Sequence, residues 1–195
     1  MTSSLRFAEG VGALVAGYAF FNGAGLVNAL VTKPPLPPPS GKKEAVKADV
    51  FEAVKAMYSG EGCNPAMLTD DVTFTDPVAR CEGRCEVSEG FRALAAAAQP
   101  EQIDEPLAVS RDGEEGIVFH LHQRYFRGNK LLTLLMPDGF VLRSVLVVQT
   151  READGGRICA IEERWNGAPL LSFSAFRFVR RVNGVVSSLL TPRVC

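Results

Sequence analysis

The spacing of apolar residues changes along the chain, and the order of the changes predicts an α+β fold. Apolar positions have helical spacing from Val46 to Tyr58, in a short stretch after Asn64, and from Val87 to Ala98. Alternating patterns predict strands over 72–76, 106–111, 116–126, 131–136, 140–150 and 157–165. Because helices come first and strands follow through short turns, we expect an α+β domain with an antiparallel sheet.

The amino-terminal segment, residues 1–32, is a long apolar run. Residues 10–32 carry no charge. As a helix they would span roughly 34 Å at about 1.5 Å per residue, close to the thickness of a bilayer's hydrocarbon core. Small residues four apart would allow close helix packing in lipid. The pattern favours a membrane anchor, with a cleaved targeting segment or a buried soluble helix, suggested by Asn22 and Asn28, as alternatives.

Two further changes in composition divide the rest of the chain. Five prolines within residues 34–39 predict an extended spacer over 33–41, before a folded domain over 42–168. Residues 169–195 predict a basic amphipathic helix with Arg177, Arg180 and Arg181 on its polar face. We expect these arginines to face a membrane or a partner protein, with docking of the helix on its own domain as the alternative.

The charge balance and the cysteines exclude several classes of protein. The formal net charge is −1, from 21 basic and 22 acidic residues, so nothing favours nucleic acid as a partner. Five cysteines, an odd number in a long chain, suit a reducing compartment better than a disulfide framework. Cys81 and Cys85 lack the partners of a zinc site, and no phosphate loop or dinucleotide motif occurs. We therefore predict neither a metal nor a cofactor.

Two motifs resemble a known family. Residues 68–84, which read LTDDVTFTDPVARCEGR, and the closing strand with Glu163 two residues before Trp165 are similar to SnoaL-like domains. These belong to the nuclear-transport-factor-2-like superfamily of cone folds, and the resemblance covers about residues 45–168. It implies a curved, cystatin-like antiparallel sheet around a helix-lined pocket. Members include isomerases, cyclases, dehydratases, ligand binders and scaffold subunits, so the resemblance alone does not select an activity.

Candidate site residues follow from placing polar side chains on that sheet. His120, His122 and Arg124 alternate along one strand and share a face, where Asp76 and Glu163 could join them. A histidine beside a carboxylate in an apolar pocket is a workable acid–base pair, suited to proton transfer next to a carbonyl. Tyr125 and Trp165 are predicted to line the pocket or an interface. Alternatively, the opposite face of the strand points inward: Ile117, Phe119 and Leu121.

Two functions from different classes fit these predictions. The first is a membrane-anchored, non-catalytic accessory subunit, with membrane lipid and other complex subunits as partners and an organellar energy-converting complex as one host. The second is an isomerase, cyclase or dehydratase type of enzyme that uses histidine and carboxylate groups on an apolar small molecule, without an organic cofactor. The amount of sequence outside the folded domain favours the first. Convergence of Asp76, His120, His122 and Glu163 on an open pocket would favour the second.

Overall fold

Three long helices and seven strands make up the part of the chain that a computed structural model describes: residues 22–25, 27–28, 47–59, 61–109, 116–125 and 140–189. Helices α1 to α3 span Ala48–Tyr58, Arg84–Ala98 and Ser174–Leu189. Strands β1 to β7 span Leu68–Thr75, Arg80–Glu82, Glu101–Gln102, Leu107–Val109, Ile117–Tyr125, Phe140–Arg151 and Arg157–Trp165. Short 3-10 turns lie at Pro65–Met67 and Glu152–Asp154. The fold is therefore α+β, while the strand predicted over 131–136 lies outside the described residues.

The sheet is mixed, which corrects the prediction of a purely antiparallel one. Its order is β2-β1-β7-β6-β5-β3, and β4 also pairs with β5. Each of these pairs is antiparallel except β1 with β7, which run parallel. The β6–β7 pair is the hairpin that turn residues predict locally, whereas β1 meets β7 across most of the domain. No turn chemistry fixes the direction of such a distant pairing.

The main core lies between the sheet and helices α1 and α2, on what we call the inner face of the sheet. Met57 and Tyr58 of α1 and Phe91 of α2 pack in one buried cluster with Phe119 and Leu121 of β5. A separate valine cluster, with Val118, Val145 and Val147, lies on the opposite, outer face. Since side chains alternate along a strand, this packing decides which face of β5 points inward.

Helix α3 packs on α2 and β2 with its polar side. Arg181 pairs with Glu86 and with Glu82, and the Asn183 carboxamide donates to the Val78 carbonyl. Arg180 is also buried, which corrects the expectation that these two arginines face a membrane or partner; Arg177 alone of the three is exposed. The helix is thus docked on its own domain.

Part of the amino-terminal apolar segment also lies on this domain. Residues 22–25 and 27–28 are helical, and the Asn22 side chain accepts a hydrogen bond of 2.6 Å from Asn183 of α3. In the portion of the chain described, no helix is both long enough and apolar enough to cross a membrane. Residues 1–21, 26 and 29–46 lie outside that portion, so most of the predicted anchor and the whole of the predicted spacer over 33–41 are not tested.

Candidate functional site

A cavity of about 420 Å³ opens between α2, α3 and the inner face of the sheet. Its walls are mostly apolar, formed by Val87, Phe91 and Leu94 of α2 and by Phe74, Phe140, Leu142 and Trp165 of the sheet. Ser187 of α3 completes the wall on one side. The volume and the lining are those of a site for a small organic molecule. Two carboxyl groups, Asp76 and Glu163, interrupt the apolar surface.

Asp76 is held by the turn that joins β1 to β2. Its Oδ1 accepts hydrogen bonds from the backbone N–H groups of Val78, at 2.7 Å, and Ala79. No other hydrogen bond engages this side chain among the described residues, so Oδ2 is left for a ligand in the cavity. Burial raises the pKa of Asp76 to about 6, although the two N–H groups and then the charge of Arg180 act in the opposite direction.

Glu163 lies on the inner face of β7 and is only 3% exposed. The Ser144 hydroxyl donates to its Oε1 at 2.6 Å, and the Tyr58 hydroxyl donates to its Oε2 at 2.9 Å. Burial, and next the negative charge of Asp76, raise the pKa of Glu163 to about 7 despite these donors. The carboxyl is therefore fixed in position and carries a proton over part of the neutral pH range.

The two carboxyls form a coupled pair whose members favour different protonation states. Asp76 has the lower pKa and loses its proton first. The negative charge of ionised Asp76 then raises the pKa of Glu163, so Glu163 keeps its proton to a higher pH. Near neutral pH one group can accept a proton while the other can donate one. Pairs separated in this way are typical of acid–base catalysis.

The other polar groups at the cavity are neutral or act as donors. Burial raises the pKa of Tyr125 well above its usual value, and the phenol donates to Gln123 at 2.8 Å. Burial also raises the pKa of Cys81 to about 12, so this thiol is not a nucleophile at neutral pH. The Trp165 Nε1–H is buried beside Glu163, and this donor acts to lower the pKa of that carboxyl.

The raised pKa of Glu163 predicts a specific dependence of stability on pH. The pKa of Glu163 in the folded protein, about 7, exceeds its value in the unfolded chain, so protonated Glu163 stabilises the fold. This contribution to the free energy of unfolding is complete below about pH 4 and is lost as pH rises through 7. Glu163→Gln abolishes this loss. The free energy of unfolding of the variant, relative to that of the native chain, is expected to rise by about 3 kcal/mol between pH 4 and pH 7.5. Urea unfolding at both pH values measures the difference.

Glu105→Gln provides the control for that experiment, because Glu105 is a surface carboxylate with a side chain that is 74% exposed. We expect its effect on the unfolding free energy to stay small at both pH values. A stability difference between Glu163→Gln and the native chain that does not change with pH would show that Glu163 ionises in the folded protein as it does in the unfolded chain.

The histidines predicted to join the carboxyls lie elsewhere. His120, His122 and Arg124 are on the outer face of β5, because Phe119 and Leu121 occupy the core. His122 Nδ1 lies 2.7 Å from an Asp104 carboxylate oxygen. Arg124 likewise pairs with a surface acid, Glu101, at 3.7 Å. The four-residue constellation is therefore not assembled, whereas Asp76, Glu163, Tyr125 and Trp165 do meet at the cavity. The described residues hold no cluster of ligands suited to a metal ion.

Three residues that organise the site were not singled out in the sequence. Tyr58 and Ser144 hold Glu163, and fully buried Gln123 accepts from Tyr125. Ser144 carried a usable signal, since the alternate positions 140, 142, 146 and 148 on its side of the strand are all apolar. Tyr58 carried none, because its position in the pattern of α1 is that of an ordinary core residue.

Comparisons with known proteins give similarity at the level of fold. The chain matches no established family profile, and no curated protein matches its sequence. A protein of unknown function with a cystatin-like fold from Methylobium petroleophilum is 12% identical, with 67% of this chain and 85% of that chain covered and a TM-score of 0.44. A hypothetical protein with a ketosteroid isomerase-like fold from Catenulispora acidiphila, solved with trimethylamine, is 16% identical, with coverages of 69% and 94% and a TM-score of 0.42.

A third similar solved structure is described as nuclear-transport-factor-2-like. It is a protein of unknown function from Cytophaga hutchinsonii, 11% identical, with 63% of this chain and 93% of that chain covered and a TM-score of 0.42. The structures similar to this chain thus carry the fold names that the resemblance of residues 45–168 predicted.

Proposed function

We propose that the chain is a small acid–base enzyme of the isomerase, cyclase or dehydratase kind, acting on an apolar molecule bound in the cavity. One observation carries the proposal: two buried carboxyls, with pKa values of about 6 and about 7, project into an otherwise apolar cavity of about 420 Å³. Burying two acids among aromatic side chains has a cost in stability. An acid–base function explains why the site contains both.

The geometry gives the two carboxyls different roles. Asp76 is the base, because its Oδ1 is anchored by backbone N–H groups and its Oδ2 is not engaged. Glu163 is the acid, because its pKa is the higher of the two. Asp76 removes a proton from a carbon next to a carbonyl, and the carbonyl oxygen takes the proton of Glu163. Asp76 then delivers its proton to a different carbon, and Glu163 takes back the proton on the oxygen. This completes an isomerisation in which atoms and charges balance.

This proposal changes the function preferred from sequence. The enzyme alternative now rests on a carboxyl pair instead of a histidine and a carboxylate, because the histidines lie on the outer face. The open cavity favours it, since a scaffold has no need of an apolar space with two acids in it. The accessory-subunit role and its organellar setting stay predictions, because the described residues contain no partner.

Ligand binding is the first test of the proposed function. Neutral apolar ketones and enones are expected to raise the unfolding temperature of the native chain. At roughly 100 times the dissociation constant the rise is about 5–10 °C for a domain of this size. Ala93→Trp, which adds a large ring to the cavity wall, should remove the shift. Failure of every such compound to stabilise the native chain, or equal shifts for both proteins, would contradict binding in this cavity.

A further inference from the structure

Helix α3 exposes several large apolar residues, although Val179 on the same helix is buried. Phe178 is 68% exposed and Val186 is 46% exposed, and Phe173, just before the helix, is 70% exposed. At about 100° per residue Phe178, Val182, Val185 and Val186 fall within one sector of the helix. We call Phe173 and these four residues the outward apolar face. Large aromatic residues exposed together are a signal of an interaction surface.

The docked side of the same helix is unusually polar. Gly184 is buried against the backbone of Arg80, and Asn183 binds the Val78 carbonyl. Arg180 donates to the Leu171 carbonyl at 2.9 Å, and Arg181 pairs with Glu86. An amphipathic helix normally docks through its apolar side, because burial of apolar area is the main source of stability. Here polar contacts and the buried Val179 side chain hold the helix, and Phe178 and Val186 stay exposed.

One exposed positive charge lies next to the outward apolar face. No acidic residue occurs between Ala168 and Leu189, and of the three arginines of α3 only Arg177 is exposed, since Arg180 is buried and Arg181 pairs with Glu82 and Glu86. Arg177 is exposed on α3, about 80° around the helix from Val185. Arginine beside an apolar stripe can reach anionic head groups while the stripe enters the acyl boundary.

A second apolar segment of the chain approaches the same helix. The carboxamides of Asn22 and Asn183 are hydrogen bonded at 2.6 Å, and Gly25 lies next to the Phe176 ring. The residues before Asn22, from Gly10 onward, are uncharged and rich in apolar side chains. Residues 22–25 of the apolar amino-terminal segment therefore lie on the side of the domain that carries α3.

We propose that the outward apolar face of α3 docks on a bilayer surface that contains anionic lipid. Phe173, Phe178 and Val186 enter the interface, and Arg177 contacts the head groups. The positive charge distinguishes this occupant from a second copy of the chain, which would bring like charges together across a two-fold axis. The proposal is independent of the chemistry in the cavity.

Vesicle flotation of the full chain tests the proposal. We expect the native chain to float with phosphatidylcholine vesicles that contain phosphatidylglycerol, and less with phosphatidylcholine alone. Phe173→Ser with Phe178→Ser should lower the fraction bound by about tenfold or more. Arg177→Gln should weaken binding to the anionic vesicles and leave the weaker binding to neutral vesicles unchanged.

A matched control replaces exposed apolar residues of the sheet region. Ile103 and Val141 are 37% and 46% exposed, and their double change to serine should leave flotation unchanged. Equal flotation of the native chain and the double phenylalanine variant would overturn the proposal and assign the binding to other residues. So would a native dimer that does not float and that the phenylalanine changes convert to a monomer, since the face would then pair with a second copy.

Discussion

Replacing Asp76 with Asn is expected to lower turnover in the cavity by a factor of about 10²–10⁴ while the fold persists. The substitution removes the base and little else, because an asparagine Oδ1 can still accept from the Val78 and Ala79 N–H groups that shape the turn. A neutral amide also avoids the cost of burying a charged carboxylate, which is the effect that raises the pKa of Asp76. Steady-state kinetics on a ligand that passes the binding test measures the effect.

The pH profile distinguishes loss of the base from general damage. In the native chain kcat/KM should rise as Asp76 ionises near pH 6 and fall as Glu163 loses its proton near pH 7, giving a narrow bell. Residual activity of Asp76→Asn should lack the rising limb. His122→Gln is the control, because this histidine lies on the outer face beside Asp104, and it should retain native rates. Loss of activity in the histidine variant with full activity in Asp76→Asn would reverse our assignment.

The contrast between these two residues shows how far the sequence determines the site. Alternation establishes that His120, His122 and Arg124 share one face of a strand, but it does not say which face is covered. Packing of α1 and α2 decides that, and the larger apolar side chains, Phe119 and Leu121, occupy the covered face. Asp76 and Glu163 were accessible to sequence reasoning because each lies in one of the two motifs that carry the family resemblance, residues 68–84 and the closing strand.

Contacts between distant parts of the chain account for the remaining differences. The parallel pairing of β1 with β7 joins segments about ninety residues apart, and local patterns contain no information on its direction. The short strands β2 and β3 have no periodic pattern of their own and form by pairing with β1 and β5. For α3 the helical pattern separates a polar side from an apolar side. Which side docks depends on the acids and carbonyl groups that β2 and α2 present.

Gly184→Ala tests whether α3 packs on the domain through its polar side. The change is expected to destabilise the protein by about 1–3 kcal/mol, or more. In an ordinary helix interior the same change stabilises by about 1 kcal/mol, so the predicted sign is the opposite of the usual one. A Cβ at Gly184 would overlap the Arg80 carbonyl oxygen and lie 2.6 Å from its carbonyl carbon. That backbone cannot retreat freely, because β2 is paired with β1. Urea unfolding measures the loss.

The effect of Gly184→Ala should extend from α3 to the cavity. A displaced helix carries Arg180 away from Asp76 and Ser187 away from the cavity wall, so Gly184→Ala should also weaken ligand binding. Val186→Ala, on the outward apolar face, is the matched control and should change stability by no more than about 0.5 kcal/mol. If Gly184→Ala proved as stable as the native chain, α3 would not pack on β2 through its polar side. Its apolar residues would then be free to cover the domain, and the membrane-facing surface proposed for them would no longer exist.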